Sequence, residues 1–125
     1  MKKLTLLLLL MVSTSVFSEW KWVGASQDST NYIDFGTIKK KGNKAKMWRL
    51  YDFKTVQKYS GLSQIIHYEY DCEEETSRML DFYSYSGNMA QGDIISSMTS
   101  IENKPESIIP GSVSENSLNI ACDKK

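Results

Sequence analysis

Two cysteines behind an export-type leader constrain this chain more than any other feature. Cys72 closes a strand-like segment that begins at Gln64. Cys122 closes a helix-like tail that follows Pro110-Gly111-Ser112. The leader itself has the parts of a secretory signal peptide. Lys2 and Lys3 supply a positive start, Leu4 to Val12 an apolar run too short for a stop-transfer helix, and Val16-Phe17-Ser18 a small-residue cleavage site. Residues 1–18 are therefore expected to be removed, leaving a single domain over residues 19–125. No cysteine lies near the cleavage point, so a lipid-modified cysteine anchor is not expected, and the product is expected in the periplasm or beyond. In an oxidising compartment a Cys72–Cys122 disulfide is the default expectation. Two free thiols, or one thiol seeking an outside partner, are the alternatives. Closing a loop of about 50 residues would contribute roughly 4 kcal/mol on the chain-entropy account.

Charge narrows the function classes. Without Lys2 and Lys3 the chain carries 13 basic and 15 acidic residues, which does not point to nucleic acid. No long apolar stretch follows the leader, so the mature form is expected not to span a membrane.

Apolar periodicity predicts about six short strands joined by turns, an antiparallel meander. Trp20 to Val23 and Tyr32 to Phe35 are the first two. In Ala45–Lys54, Trp48 and Leu50 point one way and Met47, Arg49, Tyr51 and Phe53 the other. In the next strand Ile66, Tyr68, Tyr70 and Cys72 share a face opposite Ile65, His67, Glu69 and Asp71. Arg78 to Tyr85 alternates again, and Met89 to Met98 is expected as the sixth strand, broken or bulged near Gly92. The period then changes. Ser112-Val113-Ser114-Glu115 has the spacing of a capping box, in which Ser112 and Glu115 satisfy free backbone donors at a helix start. Docking that helix on the face of Tyr68, Tyr70 and Cys72 gives an α+β fold with the helix held on one face of the sheet.

These pieces, taken in order, resemble the surface-adhesin protein E-like family of bacterial exported proteins. The matching residues are Tyr32-Ile33-Asp34, Met47-Trp48-Arg49-Leu50-Tyr51-Asp52, Tyr68-Glu69-Tyr70-Asp71-Cys72 with Arg78 after it, Gly87, Pro110-Gly111-Ser112, Glu115 and Cys122. The resemblance implies a bent antiparallel sheet with a C-terminal helix held on its concave side by the disulfide. It also implies adhesion or binding of a host extracellular-matrix protein. A soluble periplasmic accessory or inhibitor protein that binds an envelope component is the other expectation.

No residue cluster spells out a reaction. His67 is the only histidine, no G-x-S-x-G elbow exists, and one histidine with a paired cysteine builds no zinc site, so neither an enzyme, a cofactor nor a metal is expected. Glu73-Glu74-Glu75 reads as a solvated hairpin tip. The candidate binding residues are Lys39, Lys40, Lys41, Lys44 and Lys46, the one local basic patch, with Tyr83 and Tyr85 on the sheet. Lysines of this kind also guard sheet edges. Of the aromatics, Trp48, Tyr68 and Tyr70 are expected in the core. Any left on an uncovered face would meet a protein partner or a second copy of the chain, a homodimer.

Overall fold

The computed structural model describes residues 19–124. The expected leader, residues 1–18, lies outside the described residues. The elements run β1 (Trp20–Ala25), β2 (Ser29–Asp34), a 3-10 turn (Phe35–Thr37), β3 (Lys39–Lys41), β4 (Lys44–Gln57), β5 (Gly61–Asp71), β6 (Thr76–Tyr85), β7 (Ile94–Met98), β8 (Glu106–Ser107) and α1 (Val113–Ala121). One antiparallel sheet has the order β1-β2-β4-β5-β6-β7, with β3 added to β4 and β8 to β6. The meander expected from the alternation is therefore present, extended by the two short strands. β4 is long enough to pair with two strands along one edge. Its first residues meet β3, and Arg49 to Phe53 meet β2.

Turn chemistry sets the register. Gly42 takes a φ of 61° between β3 and β4, a conformation that glycine adopts without steric cost. Asp71 caps the β5–β6 turn, its Oδ1 accepting from the backbone N–H groups of Glu73 and Glu74. The sixth strand is shorter than expected. Met89 and Ala90 have φ values of 55° and 58°, which no extended strand admits, so only Ile94–Met98 pairs with β6. The preceding segment is tied down instead. The Asp52 carboxylate accepts from Asn88 Nδ2 and Met89 N–H, and Ser63 Oγ donates to Gly87 O at 2.6 Å.

The helix begins where the capping pattern places it. Ser112 Oγ accepts from Glu115 N–H at 3.1 Å, and Glu115 Oε1 accepts from Gly111 N–H at 2.8 Å. Glu115 reaches back one residue further than in the simplest box, to the residue before the cap. Nine residues form a marginal helix alone. Its stability comes from docking. Leu118, Ala121 and Cys122 pack with Ile33, Ala45, Met47 and Tyr70 into one buried cluster. Gly24 lets α1 approach β1, because a Cβ there would stand 2.9 Å from a Val113 methyl. Asn116 Nδ2 then donates to Val23 O. The Cys72–Cys122 disulfide joins the end of the helix to the end of β5, with Cα atoms 5.8 Å apart. Lys124 Nζ donates to Cys72 O beside it.

Replacing Cys122 with serine should cost about 2–5 kcal/mol of unfolding free energy, read from the urea midpoint. Leu118→Ala should cost a further ~2–4 kcal/mol by opening a cavity under the helix. If either variant unfolds at the parental midpoint, the helix is not what closes the core.

Candidate functional site

The two faces of the sheet differ in kind. The helix face carries Ala45, Met47 and Arg49 from β4 and Ile66, Tyr68 and Tyr70 from β5. Arg49 was not among the expected site residues, yet it is the largest fully buried side chain, at 2% exposure. Its NH1 donates to Tyr70 Oη at 3.4 Å and its NH2 to Asn31 Oδ1 at 3.3 Å. The guanidinium lies 5.0 Å from the ring centres of both Tyr51 and Tyr68, whose hydroxyls bond each other at 3.1 Å. Burial pushes the Tyr70 phenol up to about 12 and Tyr68 higher still, although Arg49 opposes both shifts. The phenols therefore stay neutral, and no carboxylate pairs with Arg49 among the described residues. The charge is held by ring faces and neutral oxygens, a cation–π arrangement that strengthens as water is excluded. An arginine at an inward position of the alternating run Met47-x-Arg49-x-Tyr51 was the available signal.

Among the described residues no helix covers the opposite face of the sheet. Trp48, expected in the core, stands there. Alternation placed it correctly with Leu50 but could not say which face of β4 continues the helix-bearing face of β5. Trp48 stacks on His67 across the β4–β5 register, with centroids 4.6 Å apart and planes 4° from parallel. Tyr83 lies 6.2 Å from Trp48 on β6. Leu50 on this face is fully buried, so the half-exposed aromatic rings sit on a packed base. His67 Nδ1 is 3.0 Å from Asp81 Oδ2, while Asp81 Oδ1 accepts from Ser100 N–H at 2.9 Å. That backbone donor, with His67 second, holds the Asp81 carboxyl below its ordinary value although burial works the other way.

The expected lysine patch divides between the faces. Lys39 lies opposite Lys46 and Lys41 opposite Lys44 in the β3–β4 register. All four stand on the open face beside Trp48, since Lys46 and Trp48 are two apart on one strand. Lys40 does not join them. It lies opposite the buried Ala45, and its Nζ is 3.5 Å from Cys122 O on the helix face. Tyr83 joins the patch through Trp48. Tyr85 sits at the far end of β6, opposite Gly61 and Ser63 and away from the lysines. Lys39, Lys46, Thr37, Trp48 and His67 line a shallow groove of about 500 Å³. Glu73 and Glu75 point to different partners, Asn43 and Lys124. Among the described residues no group of three or more histidine, cysteine, aspartate or glutamate side chains could hold a metal ion.

Two outcomes follow. Arg49→Ala leaves Asn31 and Tyr70 unpaired around a void and should cost about 2–4 kcal/mol by chemical unfolding, with the open face unchanged. The lowered Asp81 value contributes stability above the unfolded carboxyl value, about 3.8. That contribution is lost as pH falls through the lower folded value. The urea midpoint should therefore drop below about pH 4, and Asp81→Asn should flatten part of that drop.

Comparison with known proteins agrees with this architecture. The family model for Surface-adhesin protein E matches residues 20–123. Among solved structures, protein E from non-typeable Haemophilus influenzae superposes with a TM-score of 0.58 at 16% identity, covering 88% of this chain and 79% of that one. A second crystal form of Haemophilus influenzae protein E gives 0.60 at 16% identity, covering 88% and 91%. At that identity the superposition speaks for the fold. No curated protein sequence matches the chain significantly. No helix among the described residues is long and apolar enough to cross a membrane. The match over residues 20–123 places the chain in the surface-adhesin protein E family.

Proposed function

We propose that this adhesin-like protein is an exported, non-enzymatic binding domain that holds a host extracellular-matrix protein against the open face of its sheet. Export here means a leader over residues 1–18 and a working domain over residues 19–125. The observation that carries the reading is the pairing of faces. One face is closed by α1, the disulfide and the Arg49 cluster, and it is spent on stability. The other leaves Trp48, His67 and Tyr83 partly open beside four lysines. Tyrosine and tryptophan give large contact area with a polar tip, and such residues anchor interfaces when the surrounding rim excludes water.

The test is a pull-down with residues 19–125 against purified laminin, fibronectin and collagen, and in parallel against identified envelope proteins. Capture of a matrix protein is expected, weakened at least tenfold in Kd by Trp48→Ala with Tyr83→Ala. Far-ultraviolet circular dichroism would confirm that the double variant is folded. Capture of an envelope protein alone would overturn the matrix reading and assign a periplasmic accessory role. Capture of a matrix protein that survives the double variant would place the contact elsewhere.

A further inference from the structure

The β3–β4 hairpin carries an electrostatic arrangement that the fold does not need. Lys39 faces Lys46 and Lys41 faces Lys44 in direct cross-strand register. Like charges directly opposite each other on one sheet face are destabilising. Two such pairs in succession root four lysine side chains at the corners of a rectangle of about 5 by 7 Å. The next strand offers acids in register, Glu69 beside Lys46 and Asp71 beside Lys44. Both are already engaged. Glu69 bonds Arg78 at 3.1 Å, and Asp71 accepts the two backbone N–H groups of the following turn. Among the described residues, none of the four lysines forms an ion pair.

Edge protection explains half of this. Lysines on β3 deter pairing at a free edge. Lys44 and Lys46 lie on β4, which is flanked by β3 and β5 and has no free edge there. Asp71 and Asp81 offset their repulsion with β3 only in part, because each carboxylate is held first by backbone N–H groups, and this leaves the lysine pairs open to an external anion.

We propose that this lysine ladder binds a sulfated polysaccharide chain. Several anionic groups repeated along one chain match a fixed array of cations better than a single phosphate or carboxylate does. The groove that starts at Lys39 and Lys46 ends at the half-exposed Trp48–His67 stack. An indole plane beside cations suits a sugar ring, whose C–H face packs on the aromatic while its anionic substituents reach the lysines. The inference rests on the reading of the open face as the binding surface, but it assigns a ligand class distinct from a matrix polypeptide.

Heparin is the probe, titrated into residues 19–125 by calorimetry. Binding is expected at about 0.15 M salt and at least tenfold weaker at about 0.5 M, as screening requires. Lys44→Gln with Lys46→Gln should weaken binding at least tenfold while the far-ultraviolet circular dichroism spectrum stays that of the parent. Lys58→Gln with Lys104→Gln, the same charge change elsewhere, should leave heparin affinity unchanged. Chemically desulfated heparin should bind at least tenfold more weakly. Heparin binding that the Lys44 and Lys46 changes leave intact would overturn the proposal, as would its absence. Equal binding to phosphatidylserine vesicles would overturn it in favour of a lipid surface. Heparin binding without capture of any matrix protein would sustain the ladder and defeat the protein-binding reading; the reverse pattern would do the opposite.

Discussion

The structure depends on bringing the last nine-residue helix back onto the middle of the sheet. That contact closes a loop whose cysteines are 50 residues apart, and nothing local favours it. Loop closure costs entropy whatever the final contact. Here the disulfide, the burial of Leu118 and Ala121 on Met47 and Tyr70, and the Ser112–Glu115 cap act together at the two ends of α1. With the helix in place, one face of the sheet is no longer available to solvent. Arg49 can then be buried beneath it, held by tyrosine rings that would be half-wet without the helix above them.

The other face follows by exclusion. Among the described residues the one helix covers one side of the sheet, and on the other side only the loop before β7 packs down, over Asp52 and Ser63. Leu50 fills the open side, and Trp48 lies flat against His67 rather than projecting. His67 is fixed in turn by Asp81, and Asp81 by the backbone of Ser100 after β7. The face is therefore rigid before any partner arrives, so little side-chain ordering remains to be lost on contact. The lysines at its border are different in character. They are exposed and mutually repulsive, and their arrangement bears on association more than on folding.

Much of this was legible in the residues. Alternation assigned Ile66, Tyr68 and Tyr70 to one face and Trp48 with Leu50 to the other, because a strand's side chains have a strict period of two. The capping spacing located the helix start, and the cysteine pair joined helix to strand. What alternation cannot supply is the register between β4 and β5, and so which face of β4 the helix covers. Trp48 was therefore expected inside and stands on the open side. Arg49 escaped notice because a charged residue in a strand reads as solvent-facing until its neighbours are known to be tyrosines. Lys40 looked like one of five equivalent lysines until the hairpin register turned it toward Cys122. The loop before β7 was hidden because Met89 and Ala90 carry no sign of the left-handed backbone that Asp52 and Ser63 hold them in.

The most direct test of the two-face account is a hydrogen-exchange footprint of the protein with a captured matrix protein bound. Protection is predicted over β3, the first half of β4 and the facing stretches of β5 and β6, with α1 exchanging as it does alone. Protection centred on α1 and the segment before it, with the β3–β4 hairpin unchanged, would contradict the account and make the helix side the binding surface.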